Sequence, residues 1–344
     1  MTQTDASPAD SIPADTDVLV IGAGVIGLST AVCLAEAGVN VAIAAAEPPP
    51  QTTSSAAGAI WGPHLVGMDE RVARWAAVTL TRFAELSAPD LGANALAGIV
   101  RTASGIAASR EERAGPPEFA AASAPDECQP ADVPAGYRSA WRLNAPIVTM
   151  PGYLDYLAAR FGRAGGASPF PAKLARLSDA SMLAPSARVI VNCTGCGARE
   201  LVPDPDVTPV RGQVVVVSNP GLTEFFVGTA ADPTDLTYLI PHGDVVVLGG
   251  TEQPGNWSRE PDPATADRIL AACAAVQPAL RDATVLAHRV GLRPARPMVR
   301  LAAEPGDGVT IVHNYGHGGA GVTLSWGCAE DAAALALDAL GALA

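Results

Sequence analysis

Three glycines set out the first chemistry in this chain. Gly22, Gly24 and Gly27 stand at the G-x-G-x-x-G spacing, directly after the uncharged β-branched run Val18–Ile21. Such a run suits a buried parallel strand. Leu28 to Ala37 then reads as a helix that Gly38 can cap, and Val39 to Ala44 as a second strand. Gly22 permits a tight turn, Gly24 lets a diphosphate approach the backbone, and Gly27 lets helix and strand pack closely. The helix start, with Val25 and Ile26, presents free N–H groups and the positive end of a dipole. Glu47 follows about 20 residues after the last glycine, where an acid can hold ribose hydroxyls. Thr52, Thr53 and Ser54, then Gly58, Ala59 and Ile60, make a small, hydroxyl-rich stretch suited to close approach by a bulky group. Strand, turn, helix, second strand and acid in that order predict a dinucleotide site.

Other residues offer chemistry with less context. Arg293, flanked by Pro294 and followed by Arg296, is either a turn residue or a guanidinium that forks two N–H bonds to a carboxylate. Tyr238 is either core or a hydroxyl donor. Cys193-x-x-Cys196 has redox spacing, but no second pair completes a zinc site. His313 and His317, four apart, flank a glycine turn, which suits a cofactor loop better than a metal; no metal is expected. Lys173 is the only lysine and the sole candidate for imine chemistry.

Composition narrows the classes. The chain has 344 residues, 49% hydrophobic, enough for two domains of ordinary size. A formal charge of -13 argues against a nucleic-acid partner. Val18 to Ala35 is uncharged, but the glycine pattern and Glu36 favour a buried strand and helix over a membrane span. Residues 1–16 read as a disordered leader without the basic start of a signal peptide. Six scattered cysteines suit reduced thiols and a cytoplasmic location.

The elements that must position these residues follow from periodicity. Asp69 to Ser87 predicts a helix with Trp75, Val78, Phe83 and Leu86 inward, and another helix starts near Pro151 with Tyr153, Leu157 and Phe161 on one face. Arg188 to Cys193 predicts a second buried parallel strand, ending at Thr194 and Gly195. Arg211–Val217, Thr237–Ile240 and Val245–Gly249 have hairpin-like spacing. Thr310–Val312, a glycine turn and Val322–Leu340 predict strand, turn and long helix. Alternating β and α near both ends, with consecutive strands between, gives an α/β fold. It pairs a Rossmann-like nucleotide domain on a parallel sheet with a mixed, largely antiparallel α+β substrate domain. The nucleotide domain is expected at 17–65, 150–205 and 288–344, and the substrate domain at 66–149 and 206–287.

VIGAGVIGLSTA, the Thr52–Pro63 stretch, VNCTG, RGQ, YLIP, LGGT, GLRPARP and HNYGHGGAGVT together resemble the D-amino-acid oxidases, over nearly the whole chain after Thr16. D-Aspartate oxidases share most of these motifs. The resemblance implies FAD as cofactor, held by Gly24, Val25, Ile26, Glu47, Thr52, Thr53, Ser54, Gly58, Ala59, Ile60, Leu174, Thr194, Gly195, Arg293 and the Gly318–Gly319–Ala320–Gly321–Val322–Thr323 turn. A helix start at that turn can also stabilise negative charge on a reduced flavin. The family's substrate grip maps onto Arg293 and Tyr238, with Gly319 nearby. The implied reaction is hydride transfer from the Cα of a neutral D-amino acid to flavin N5. It yields a 2-oxo acid, ammonia and, with O2, hydrogen peroxide; no membrane partner is implied, and a homodimer stays open. A second lid tyrosine of some relatives is replaced here by Thr234 or Asp235, and no second arginine marks a pocket for a side-chain carboxylate.

Overall fold

The run Val18–Ile21 is buried along its whole length in the computed structural model, which describes residues 11–87, 99–112, 114–116, 124–229 and 235–342. The first elements are β1 (Val18–Ile21), α1 (Val25–Glu36), β2 (Val41–Ala45), α2 (Glu70–Leu86), β3 (Val100–Ser109), β4 (Asp126–Glu127) and β5 (Ser139–Val148). Then come α3 (Met150–Arg163), β6 (Ala167–Pro171), α4 (Ala180–Leu183), β7 (Val189–Asn192), α5 (Ala198–Leu201), β8 (Thr208–Ser218), β9 (Phe225–Thr229) and β10 (Asp235–His242). The chain ends with β11 (Val245–Thr251), β12 (Gln253–Pro254), α6 (Pro263–Val276), β13 (Val285–Ala295), β14 (Arg300–Pro305), β15 (Thr310–Tyr315) and α7 (Gly321–Ala342).

Two sheets result. The first runs β14-β15-β7-β1-β2-β6, parallel except for the β14–β15 hairpin. Helices α1, α2, α3 and α7 cover one face of it, through Leu28, Trp75, Phe83, Leu157 and Trp326. Burial on both faces explains why β1, β2 and β7 read as uninterrupted apolar runs. The second sheet runs β12-β8-β11-β10-β9-β3-β5-β4, with β13 on the free side of β8. All its pairings are antiparallel apart from β3 with β9. Alternation along β8 divides its residues. Val215 and Val217 pack with Ala266, Ile269 and Cys273 of α6, while Val214 and Val216 cluster with Tyr238 on the other face.

The α/β class with two unlike sheets agrees with the sequence pattern, and the division of the chain differs at three places. Residues 288–295, expected with the nucleotide-binding part, belong to β13 and pair with β8 in the larger sheet. Helix α2, expected with the other part, sends Val72, Trp75 and Phe83 into the core of the first sheet. Of the expected leader, residues 1–10 lie outside the described residues, and Thr16 is buried, with its carbonyl accepting a bond from Ser186 Oγ. Val78 is half-buried rather than core. Thr234 also lies outside the described residues, and Asp235 opens β10 opposite Thr251.

Candidate active site

Both helix starts predicted to face a cofactor open onto one cavity of about 860 Å³ between the two sheets. At the first, the glycines do separate work. A Cβ on Gly27 would sit 1.9 Å from the Gly22 carbonyl oxygen, and one on Gly22 would sit 2.4 Å from that of Cys193. Neither contact is possible, so β1, β7 and α1 close up only with glycine there. Gly24 is the N-cap of α1, and the first intrahelical bond runs from Leu28 N–H to its carbonyl at 2.9 Å. The earlier N–H groups of the turn have no partner within the helix; that of Val25 donates to Ser54 Oγ at 3.0 Å. Thr53 Oγ1 bonds both the carbonyl and the N–H of Leu292, at 3.1 and 3.2 Å, and so ties the Thr52–Gly58 stretch to β13 beside Arg293.

At the second helix start, Gly318 has φ +53° and a Cβ there would lie 1.7 Å from the Leu65 carbonyl oxygen. Gly318 N–H donates to Pro294 O at 2.8 Å and Gly319 N–H to His64 O at 3.0 Å. Thr323 Oγ1 donates to Gly62 O at 3.0 Å and accepts from Gly62 N–H at 3.1 Å. Gly319, Gly321, Val322 and Thr323 therefore meet the cavity held from both sides. Ala320 differs from its neighbours. Its side chain is fully buried in the helical core and its N–H is spent on His317 O, so it supports the turn rather than lining the cavity. His317 lines the cavity with its Nε2 buried and unpartnered, and burial pushes its pKa down to about 3, so it stays neutral.

Of the remaining expected residues, Ile26, Glu47, Thr52, Ala59, Ile60, Leu174, Thr194 and Gly195 all line the cavity. Glu47 is engaged in a way its sequence position does not show. Its carboxylate pairs with Arg259, whose second nitrogen donates to Gln51 O at 2.7 Å. Arg259 lines the cavity from beyond β12. It went unrecognised because no local motif marks it. Lys173, which had no site signal of its own, borders the cavity beside Leu174. Cys193 and Cys196 are free thiols that burial pushes up to about 12, which removes the thiolate a redox pair needs. His313 is buried within β15, meeting Asn192 at 3.2 Å and Glu304 at 2.7 Å. It does not converge with His317.

The wall that carries Arg293 and Tyr238 is built on absent side chains. The guanidinium of Arg293 lies over Gly212, where a Cβ would meet Cζ at 2.5 Å, and one of its nitrogens donates to Thr251 O at 2.8 Å. The ring of Tyr238 covers Gly249, where a Cβ would sit 1.8 Å from its Cζ. Burial raises the Tyr238 pKa, against the opposing pull of the Arg293 guanidinium that bonds it, so the hydroxyl stays protonated. The RGQ and LGGT motifs thus serve as platforms for Arg293 and Tyr238. Two adjacent donors result, on the wall of a cavity onto which both helix starts open.

A long cavity with two glycine-lined helix starts, hydroxyls at Thr52, Thr53 and Ser54, and an orphaned imidazole nitrogen fits a flavin dinucleotide along its length. The sequence profile of the FAD dependent oxidoreductases matches residues 17–335, and the chain belongs to that family, with FAD as its cofactor. Within it the chain is 48% identical to the D-amino-acid oxidase of Rubrobacter xylanophilus, covering 94% of this chain and 96% of that one. It is 45% identical to the D-amino-acid oxidase of Streptomyces coelicolor, covering 94% and 97%. Glycine oxidase from Geobacillus kaustophilus has the same fold, with a TM-score of 0.78, 20% identity and 94% of each chain covered.

Proposed function

We propose that the chain is a D-amino-acid oxidase acting on neutral D-amino acids, with FAD as hydride acceptor and O2 as the final acceptor. The observation that carries this reading is the placement of Arg293 beside Tyr238 in the same cavity as both helix starts. Bound FAD supplies an electrophilic N5 that accepts hydride and can later pass electrons to oxygen. The protein's share is orientation and charge. Arg293, with one nitrogen fixed on Thr251 O, offers its remaining N–H groups to an α-carboxylate. Tyr238 donates a third bond from its protonated hydroxyl. Three donors on one carboxylate fix the direction of the Cα–H, and such orientation is worth several kcal/mol near contact distance. The start of α7 would offer backbone N–H groups and the positive end of a dipole to negative charge on the bound cofactor. No side-chain base is needed when the amine enters neutral. His64, which lies against Gly319, is engaged by Glu252.

The relatives named above act, by their names, on D-amino acids, which supports the same substrate class here. Six free cysteines suit a reducing, cytoplasmic setting. Among the described residues no helix is long and apolar enough to cross a membrane. The test is anaerobic addition of D-alanine, L-alanine, glycine and sarcosine to the yellow holoprotein, followed by air. Bleaching by D-alanine with peroxide on reoxidation is expected. Bleaching without peroxide would mark a dehydrogenase, and bleaching by glycine or sarcosine alone an amine oxidase. In Arg293→Ala the KM for D-alanine should rise by about a hundredfold or more, the loss expected for a charged hydrogen bond to substrate; an unchanged KM would remove Arg293 from the carboxylate.

A further inference from the structure

Neutral and dicarboxylic D-amino acids offer Arg293 the same α-carboxylate, so discrimination between them must come from the charges beside it. One of these is Glu252, which stands behind His64 rather than among the residues that line the cavity. The chain leaving β11 faces Val214 at Gly249 and Arg211 at Gln253, four steps on one strand against three on the other. The extra residue is a bulge, a device that re-aims side chains next to sites. Glu252 lies in it, directly after the Thr251 carbonyl that holds Arg293. Its Oε1 is 2.7 Å from Nε2 of His64. His64 in turn lines the cavity against Gly319, where a Cβ would lie 2.6 Å from its Cδ2.

The carboxylate is therefore fixed within the field of the clamp. Burial works against its charge, but His64 and Arg293 together hold its carboxyl below the usual range. Neither group is spare. Arg293 is committed to the α-carboxylate, and His64 to Glu252. Among the described residues that line the cavity, the other arginine and the lysine, Arg259 and Lys173, stand with Glu47 and Leu174 on the cofactor side.

We propose that Glu252, positioned by His64, is a specificity-determining residue that excludes a side-chain carboxylate from the substrate end and favours neutral or cationic side chains. The proposal rests on Arg293 as the carboxylate clamp, and its test separates the two. Propionate and succinate are titrated into the holoenzyme and their binding followed through the flavin absorbance. Wild-type protein binds propionate more tightly than succinate. Glu252→Gln narrows that gap by about tenfold or more, the effect of removing one close like charge, and raises the ratio of D-aspartate to D-alanine kcat/KM by a similar factor. Glu252→Met, of near-equal length, gives the same reading should the glutamine variant not fold. Ratios that stay within about twofold of wild type in both variants overturn the proposal, and so does wild-type protein that binds neither acid. If no D-amino acid is oxidised by wild-type protein, the oxidase reading fails, while the binding ratio still decides the role of Glu252.

Discussion

Tyr238 owes its position to what its neighbours lack. Its ring fills the space that side chains at Gly249 and Gly58 would occupy, since a Cβ at either would fall 1.8 or 3.1 Å from it. Gly249→Ala should therefore displace the phenol from the clamp and lower kcat/KM for D-alanine by about tenfold or more. Steady-state kinetics on the folded variant would check this, and an unaltered kcat/KM would show that the ring need not be fixed. At this scale the sequence was partly legible. The glycine fingerprint carries its chemistry in local spacing, so Gly24 could be named without coordinates, whereas spacing left Arg293 open between turn and clamp and only the family resemblance pointed to it and to Gly319. Arg259, Glu252 and His64 could not be named in either way. Each acts through a partner far along the chain, Glu47 lying 212 residues from Arg259, and no periodicity records such a pairing.

Among the elements, the helices around the first sheet pack closely. Helix α7 crosses α2 with Gly327 directly over Trp75, whose Cα would lie 2.3 Å from a Cβ at that position. The indole of Trp75 also donates to Asp331 on the same helix at 2.7 Å. Gly327→Ala must push the two helices apart, an overpacking cost of roughly 1–3 kcal/mol. Thermal unfolding of the holoprotein should show a Tm lower by several degrees, and an unchanged Tm would show that the crossing relaxes freely. Buried parallel strands and amphipathic helices were readable because each carries its burial in its own period. Which core an amphipathic helix joins is not written in that period. For this reason α2 is legible as a helix, while its place in the core against the first sheet is not. The place of strand β13 is illegible for a related reason: its pairing with β8 spans a long stretch of chain, and its mixed composition lacks the apolar run of a central strand.

For the molecule as a whole, acid should loosen what burial holds. Burial is the leading cause of the low pKa of both His317, pushed to about 3, and His242, pushed to about 4; near His242 the Arg101 and Arg289 guanidiniums add to it. Both values lie below the 6.5 of a free imidazole, so between them the unfolded chain binds protons that the folded chain refuses. Their contribution to stability is full above about pH 6.5 and is lost as pH falls towards 4. Denaturant midpoints at about pH 7.5 and about pH 5 should differ accordingly. In His242→Gln, which can keep a donor for the Gly58 carbonyl that His242 Nε2 meets at 3.0 Å, the difference should shrink; an equal difference would place the acid sensitivity elsewhere.

The cavity draws its wall from Ile21 at one end of the polypeptide to Thr323 near the other, and α7 packs back onto α1. A growing chain still on the ribosome has the fingerprint turn long before it has the helix that completes it. The dinucleotide cleft therefore stays open on one side until α7 is in place.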